Sequence, residues 1–468
     1  MMPDTLNPSA APPVTRPGVP TAAWWPGSFV APPLEDVRGV LAACIKCGAC
    51  MPVCPTYREE HRESMGPRGR LALAMGLLQG DIAAAEGVAL PISSCIDCRA
   101  CVPVCPRHLP LDEVFYAAKA ELAVRGGGGL RGIGVWLLRR ATHFIVAGNR
   151  FGYFLGPGRL FGALYRGISD TSPVARLLPF FHGGRKRELP GVRSRPLTSS
   201  YPEVISPPPG VAVRGRVAFF PGCVINFTST DIGHATLRAL GRLGVEVVMP
   251  GDAPCCGIPL LSLGDREGAR SVARDVMARY GNLQVDALLT ACASCGTTLR
   301  DTYPVLFAGQ PGMQQQARQF ASRVLDVTEY VLGHTDFADR AARLDMAVTY
   351  HDPCHLVRGM GVTEEPRQIL RTVTSGFVEM READRCCGFG GLFSALHYGL
   401  SLEVGARKVQ AVAASGAPVV ATGCPGCQMH MNDTLARGGV SATVLHTIEV
   451  LDRALEAGTA RQDVSCGK

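Results

Sequence analysis

No G-x-G-x-x-G follows a stretch that reads as a strand, and no P-loop occurs anywhere in the 468 residues. The glycine run at 126–130, GGGGL, is not a dinucleotide fingerprint, because no strand precedes it and no ribose-binding acid follows. Nucleotide-dependent hydride chemistry is therefore not expected on this chain. Long apolar runs are also missing. Even the most membrane-like part, 125–187, has no eighteen residues free of charge, so a spanning helix is not expected. The opening residues, MMPDTLNPSAAPPVTRPGVP, lack a basic stretch followed by an apolar core, which argues against a secretory leader and for the cytoplasm. Acidic side chains are nearly absent from 125–187. Eleven basic residues there face Asp170 alone, while the whole chain carries 47 basic and 40 acidic residues, a net charge of +7. The basic excess is thus local. Nothing resembles a base-reading helix, so nucleic acid is not the expected partner.

Cysteine is what the chain has in abundance, with 19 residues. In a short secreted protein they would suggest disulfides; here their spacing is that of metal ligands. Cys44–Pro55 reads CIKCGACMPVCP and Cys95–Pro106 reads CIDCRACVPVCP. Each is C-x2-C-x2-C-x3-C-P, in which three thiolates hold one iron–sulfur cube and the fourth, before proline, reaches the other. This assigns Cys44, Cys47, Cys50 and Cys105 to one [4Fe–4S] cluster, and Cys95, Cys98, Cys101 and Cys54 to a second. Zinc on the C-x2-C pairs would leave the remaining cysteines of both runs unexplained.

Beyond residue 210 the chain repeats itself. RVAFFPGC (216–223) matches DMAVTYHDPC (345–354), APCCGIP (253–259) matches DRCCGFGG (384–391), and LLTACASC (288–295) matches VVATGCPGC (419–427). Thirty-one residues separate the first cysteine from the paired cysteines in both halves. Each half alternates strand, helix, strand, helix, strand. That alternation predicts a parallel sheet whose C-terminal edge gathers the loops, and with them five thiols per half. Helix N-termini at that edge favour thiolate. Gly257, Gly388, Gly390 and Gly391 are expected to let backbone approach a metal group closely. His351 and His355 flank Cys354; each is a candidate ligand or proton donor, or a brace for the loop.

The five-cysteine pattern resembles the CCG domain of heterodisulfide reductase subunits, in which the full motif binds a noncubane [4Fe–4S] cluster. Both halves match it: Cys223, Cys255, Cys256, Cys292 and Cys295, then Cys354, Cys386, Cys387, Cys424 and Cys427. The resemblance implies one or two noncubane clusters, with zinc in one half as the alternative. A ferredoxin part followed by two such repeats resembles the iron–sulfur subunit of glycolate oxidase (glycolate dehydrogenase). CIKCGACMPVCPTY followed by GPRGRL, which contains Arg68 and Arg70, is most similar to that family. What the resemblance implies is an electron-transfer subunit serving a flavin-dependent glycolate or D-lactate dehydrogenase. FAD would sit on a partner 2-hydroxy-acid oxidase subunit, and a quinone or membrane acceptor would take the electrons. Two related alternatives are a heterodisulfide-reductase-like catalytic subunit and the iron–sulfur subunit of anaerobic glycerol-3-phosphate dehydrogenase.

The expected fold class is α+β multidomain: a helical ferredoxin domain with two [4Fe–4S] sites, then a tandem α/β CCG domain with parallel sheets. The expected divisions are a disordered tail at 1–33 (with Trp24 and Trp25), the ferredoxin domain at 34–124, and a basic amphipathic helical insertion at 125–187. A linker at 188–210, repeats at 211–335 and 336–455, and a tail at 456–468 carrying an unligated Cys466 complete them. The basic insertion is read as helices packed on the other domains, or as a dock for anionic lipid or a membrane-bound partner, which would seat the chain on the cytoplasmic face of the inner membrane.

Overall fold

The computed structural model of the chain describes residues 34–84, 86–125, 129–147, 149–151, 155–177 and 181–466. Expectations for the 1–33 tail and for residues 126–128 of the glycine run lie outside them. The N-terminal unit is helical. Pro67 opens the helix Pro67–Gln79, where a missing N–H costs nothing, and Gly80 ends it at φ +82°. Leu71, Ala74 and Leu77, spaced by three, pack with Leu111, Val114, Phe115 and Ala118 of the helix Leu111–Arg125. Each large apolar side chain buried here contributes about 2 kcal/mol. The cysteine loops are held at the edge of this small core.

Helices Gly129–Val146 and Leu155–Gly167 occupy the basic segment. Its end departs from the helical expectation: β1 (Phe181–His182) and β2 (Arg185–Lys186) form an antiparallel ribbon. Gly183 and Gly184 make it by adopting φ +56° and +74°, a left-handed turn suited to strand twist. Residues 188–210, expected as a linker, are partly structural. Leu197 is fully buried, its N–H donates to the Asn226 carbonyl at 3.0 Å, and β3 (Val204–Ile205) joins the first sheet.

That sheet adds β4 (Gly215–Phe219), β5 (Val245–Val248), β6 (Ala287–Thr290) and β7 (Val324–Asp326) in the order β3-β5-β4-β6-β7, antiparallel only at β3. The second repeat contributes β8 (Leu344–His351), β9 (Thr374–Val378), β10 (Val419–Thr422) and β11 (Thr443–His446) in the all-parallel order β11-β10-β8-β9. Each repeat thus has a fourth parallel strand that short, non-alternating VLD and TVLH do not announce. The two repeats exchange helix contacts. Thr447–Cys466 lies against Thr230–Arg242, and Val327–His334 against Glu365–Val373. Arg238 and Arg242 both bind Asp452 across the first contact. Residues 456–466, expected as tail, are the continuation of that crossing helix. One hydrophobic core consequently runs through both repeats.

Candidate metal centres

In the first run Lys46 and Gly48 have φ +58° and +82°; in the second, Asp97 and Arg99 have φ +58° and +59°. The same two loop positions are left-handed in both. This coils the loop so that its three cysteines face one point. Holding Asp97 and Arg99 there costs about 1 kcal/mol each, and buried ion pairs offset it. Lys119 Nζ meets the Asp97 carboxylate at 2.7 Å and donates to the Cys95 carbonyl at 3.0 Å, while Arg99 binds Asp112 at 3.0 Å and also Asp301 of the first repeat.

Cys44, Cys47, Cys50 and Cys105 line one cavity. Cys54, Cys95, Cys98 and Cys101 line another. Burial, then the neighbouring Cys44, Cys47 and Cys105, raises the Cys50 thiol to about 11. Cys101 is pushed up by burial and then by Cys98, Cys95 and Cys54. Four converging thiols without a disulfide are mutually repulsive once ionised, and a polycation is what relieves them; both quartets fit an iron–sulfur cube. Cys54 reaches the second quartet because it caps the helix Pro55–Glu60 that starts at its own proline. The first quartet is the more open, with Cys47 and Ile45 exposed.

The stretch PRGR has a role at every residue. Pro67 starts the helix. Arg68 binds Glu63 at 2.6 Å and donates to the Lys46 carbonyl at 3.3 Å, over the first loop. At Gly69 any Cβ would collide with the Glu63 carbonyl. Arg70 is buried: its guanidinium donates to the Pro91 carbonyl at 2.6 Å, Thr56 Oγ1 at 2.9 Å, Ser94 Oγ at 3.1 Å and Cys54 Sγ at 3.7 Å.

In the first repeat Cys255 Sγ lies 3.8 Å from Cys223 Sγ, and hydrogen bonds from Cys255, then Cys295, hold Cys256 well below the usual thiol range. The second repeat repeats this. Cys387 is depressed by Cys386 and then Cys427, and Cys354 is raised first by its hydrogen bond to Cys386. All five thiols of each repeat therefore meet at the C-terminal edge of their sheet. Cys292 and Cys424 begin the helices Ala293–Thr297 and Pro425–Arg437. Hydrogen bonds from Cys292 first, then Cys427, keep Cys424 low, so the two repeats' sites adjoin. Backbone N–H groups of Gly257 and Gly388 approach Cys255 Sγ and Cys386 Sγ at 3.5 and 3.3 Å. Gly390 instead makes room for Ile96 of the second cysteine run, and Gly391 has open space around it.

The second quartet abuts the second repeat. Ile96, Cys98 and Ala100 pack with Phe393, Val404, Cys354 and Cys386. Burial works against charge on Arg358, but Cys98 and Cys354 beside it outweigh that and raise its pKa; it binds Asp384 at 2.9 Å, and a cleft of about 270 Å³ next to it is lined by the buried Cys98 and the half-buried Cys386. His355 is a brace: Nε2–H donates to the Asp97 carbonyl at 3.0 Å, and Nδ1 accepts from Ser294 Oγ at 3.0 Å, tying three parts together. His351 is fully buried, and its ring nitrogen, Cys387 Sγ and Cys427 Sγ lie within 4.8 Å of one another. Arg99, Asp97, Lys119, Arg358 and Lys408, whose Nζ donates to the Glu382 and Ala383 carbonyls just before Cys386, are site residues that sequence reasoning missed; Asp97 and Arg99, inside CIDCRAC, carried the available signal.

Across the same junction His397 Nε2 lies 3.4 Å from Ser93 Oγ, and burial, then Lys119 and Arg70, lowers it to about 4. The native chain refuses a proton that the unfolded chain accepts below about 6.5, so stability falls as pH drops from 6.5 toward 4. At pH 5 this one group costs about 2 kcal/mol. His397→Gln should shrink the loss of melting temperature between pH 7 and pH 5; an unchanged loss would contradict the assignment.

Leu137, Phe144, Leu160, Phe161 and Leu164 of the basic segment point outward. The segment is also packed: His143 meets Asp265 at 2.6 Å and Arg187 donates to Ser394 Oγ at 3.1 Å. Among the described residues no helix is long and apolar enough to cross a membrane.

The 4Fe-4S dicluster domain family matches residues 40–109, and the cysteine-rich domain family matches 217–300 and 348–432. The probable glycolate oxidase iron-sulfur subunit of Bacillus subtilis is 31% identical over 90% of this chain and 94% of its own length. A subunit of the fumarate reductase (CoM/CoB) of Methanothermobacter marburgensis is 29% identical over 88% of this chain and 72% of its own. Lactate utilization protein A of Oceanobacillus iheyensis is 30% identical, covering 52% of this chain and all of its own length.

Proposed function

This chain belongs to the family of glycolate oxidase iron–sulfur subunits, and on that premise we propose that it is the electron-transfer subunit of a flavin-dependent 2-hydroxy-acid dehydrogenase. The observation that carries this reading is the contiguity of the thiol sites. The quartet of Cys95, Cys98, Cys101 and Cys54 packs on Cys354 and Cys386, and the second repeat's Cys424 meets the first repeat's Cys292. Bound iron–sulfur clusters supply reversible one-electron chemistry. The residues do the rest. Cysteine loops fix each site, Arg70, Lys119 and Arg99 hold the second loop, and apolar side chains exclude water from the junction.

Substrate oxidation is assigned to a separate FAD-binding subunit, glycolate or D-lactate being its substrate. The open first quartet, beside exposed Ile45, is the proposed docking point for it. The outward apolar residues of the basic segment, set among arginines, suit an anionic bilayer holding a quinone, on the cytoplasmic face. Anionic vesicles should pellet with the protein and zwitterionic ones should not; equal binding to both would remove this membrane role.

Purified alone, the chain should contain about sixteen irons with sulfide and show no 2-hydroxy-acid oxidation. About eight irons with zinc would restrict iron to the ferredoxin domain. Oxidation of the acid without a flavoprotein would overturn the assignment, and reduction of a disulfide by the isolated chain would favour the heterodisulfide-reductase-like reading.

A further inference from the structure

The two cysteine-rich repeats are alike in their ten cysteines and unlike three residues before the first cysteine of each. The first repeat has Phe220 there, and the second has His351. Phe220 is buried against Tyr280, an ordinary core contact. His351 closes β8 and pairs in register with Thr422 of β10, so its backbone is fixed from the sheet side. Its Nδ1 lies 3.1 Å from the Ala383 carbonyl. A carbonyl only accepts, so Nδ1 carries the proton and donates. In the neutral ring this leaves the lone pair on Nε2. Nε2 is buried with no hydrogen-bond partner, in a side chain that is fully buried, and the ring stands within 4.8 Å of the thiols of Cys387 and Cys427.

An unpartnered buried acceptor is destabilising, and an apolar side chain such as the first repeat's phenylalanine avoids that cost. A buried ring with one nitrogen donating to a backbone carbonyl, the other left without a partner, and two thiols beside it has the arrangement of a metal-ligating histidine with its orienting hydrogen bond. We propose that His351 Nε2 is a nitrogen ligand to the metal centre of the second repeat, making the two cysteine-rich centres chemically distinct: all-thiolate in the first, mixed thiolate and imidazole in the second. This rests on the reading that the second repeat holds iron. A neutral imidazole donates less negative charge than a thiolate. Where imidazole replaces thiolate on an iron–sulfur centre the reduction potential rises. The second centre is accordingly the more readily reduced of the two, and it is the one that adjoins the ferredoxin quartet.

Pulsed EPR on the intact protein, poised so that the second centre is paramagnetic, tests this. Protein grown with ¹⁵N-histidine should show a strongly coupled nitrogen whose signal changes with the isotope. His351→Phe, which copies the first repeat, should abolish that coupling, lower the centre's potential, and leave iron content within about one atom of the parent. Absence of a histidine coupling in the labelled parent, or its persistence in His351→Phe, overturns the proposal. Should His351→Phe fail to fold, His355→Gln, His430→Gln and His446→Gln replace it: retention of the coupling in all three supports His351, and loss in any one overturns it. Iron analysis of the parent separates this failure from the other. A chain with about eight irons refutes iron in the repeats, whereas about sixteen irons without a histidine coupling refutes only the ligand.

Discussion

Cys54→Ser, a change within the first cysteine run, should abolish the centre of the second run and leave the first run's centre in place. Cys54 caps its helix and turns away from the loop formed by Cys44, Cys47 and Cys50. It lines the cavity of Cys95, Cys98 and Cys101 instead, with its thiol 3.3 Å from Thr56 Oγ1. Cys105 makes the reverse exchange and lines the first quartet's cavity. Serine offers a harder, far less acidic ligand, so the affected site should lose most of about four irons. Iron analysis and EPR of Cys54→Ser beside Cys95→Ser should give matching residual spectra, in which the first-run centre persists and the second-run centre is missing. A Cys54→Ser spectrum that instead matches Cys44→Ser would mean that each run keeps its own fourth ligand.

The second large effect is expected at Arg70. Its guanidinium is buried and serves four acceptors from two segments: Cys54 and Thr56, then Pro91 and Ser94 just before the second run. Arg70→Met keeps the length and removes the donors. The Pro91 carbonyl and two hydroxyls lose the guanidinium donor, keeping only Ser94 Oγ to Pro91 and Thr56 Oγ1 to the Met65 carbonyl, and the second quartet loses one of its buried cations. Roughly 3–5 kcal/mol of stability should go with them. Arg70→Lys should recover only part, because an ammonium cannot fork to Thr56, Ser94 and Pro91 together. Urea unfolding with an unchanged slope reads the loss directly. A change below about 1 kcal/mol would show that the network is ornamental, and normal second-centre EPR in Arg70→Met would show that it does not position that site.

The cysteine spacing made the site set legible, because a thiol ladder with fixed gaps has few other uses. The repeat was legible for the same reason, and its strands and helices followed from alternating apolar runs. What escaped were features decided at long range. β7 and β11 are edge strands of three and four residues, too short to show a period and each paired only with the strand before it, and the exchanged helices Val327–His334 and Thr447–Cys466 find their place only when both repeats are present. Leu197 and β3 looked like linker because their neighbours are Pro, Ser and Arg, yet a single apolar side chain under Gly233 anchors the segment. The charged residues of CIDCRAC carried a readable hint. Asp97 and Arg99 sit in a loop where such side chains need partners, and the partners, Lys119, Asp112 and Asp301, lie 13 to 202 residues away. His351 was visible as a histidine near a cysteine. Its significance needed the structure, which sets it against Phe220 and leaves one nitrogen of a ring beside two thiols without a partner.

The central claim is that this chain carries electrons from a flavoprotein and does not itself oxidise the acid. The direct measurement is anaerobic: the purified chain is mixed with a 2-hydroxy acid, first alone and then with a catalytic amount of the FAD-binding partner, and EPR follows the bound centres. The account predicts no reduced signals from the chain and acid alone. Signals from the cysteine-run centres and the second repeat's centre should appear on adding the flavoprotein. Reduction by the acid without the flavoprotein, or centres that stay oxidised in its presence, would contradict it.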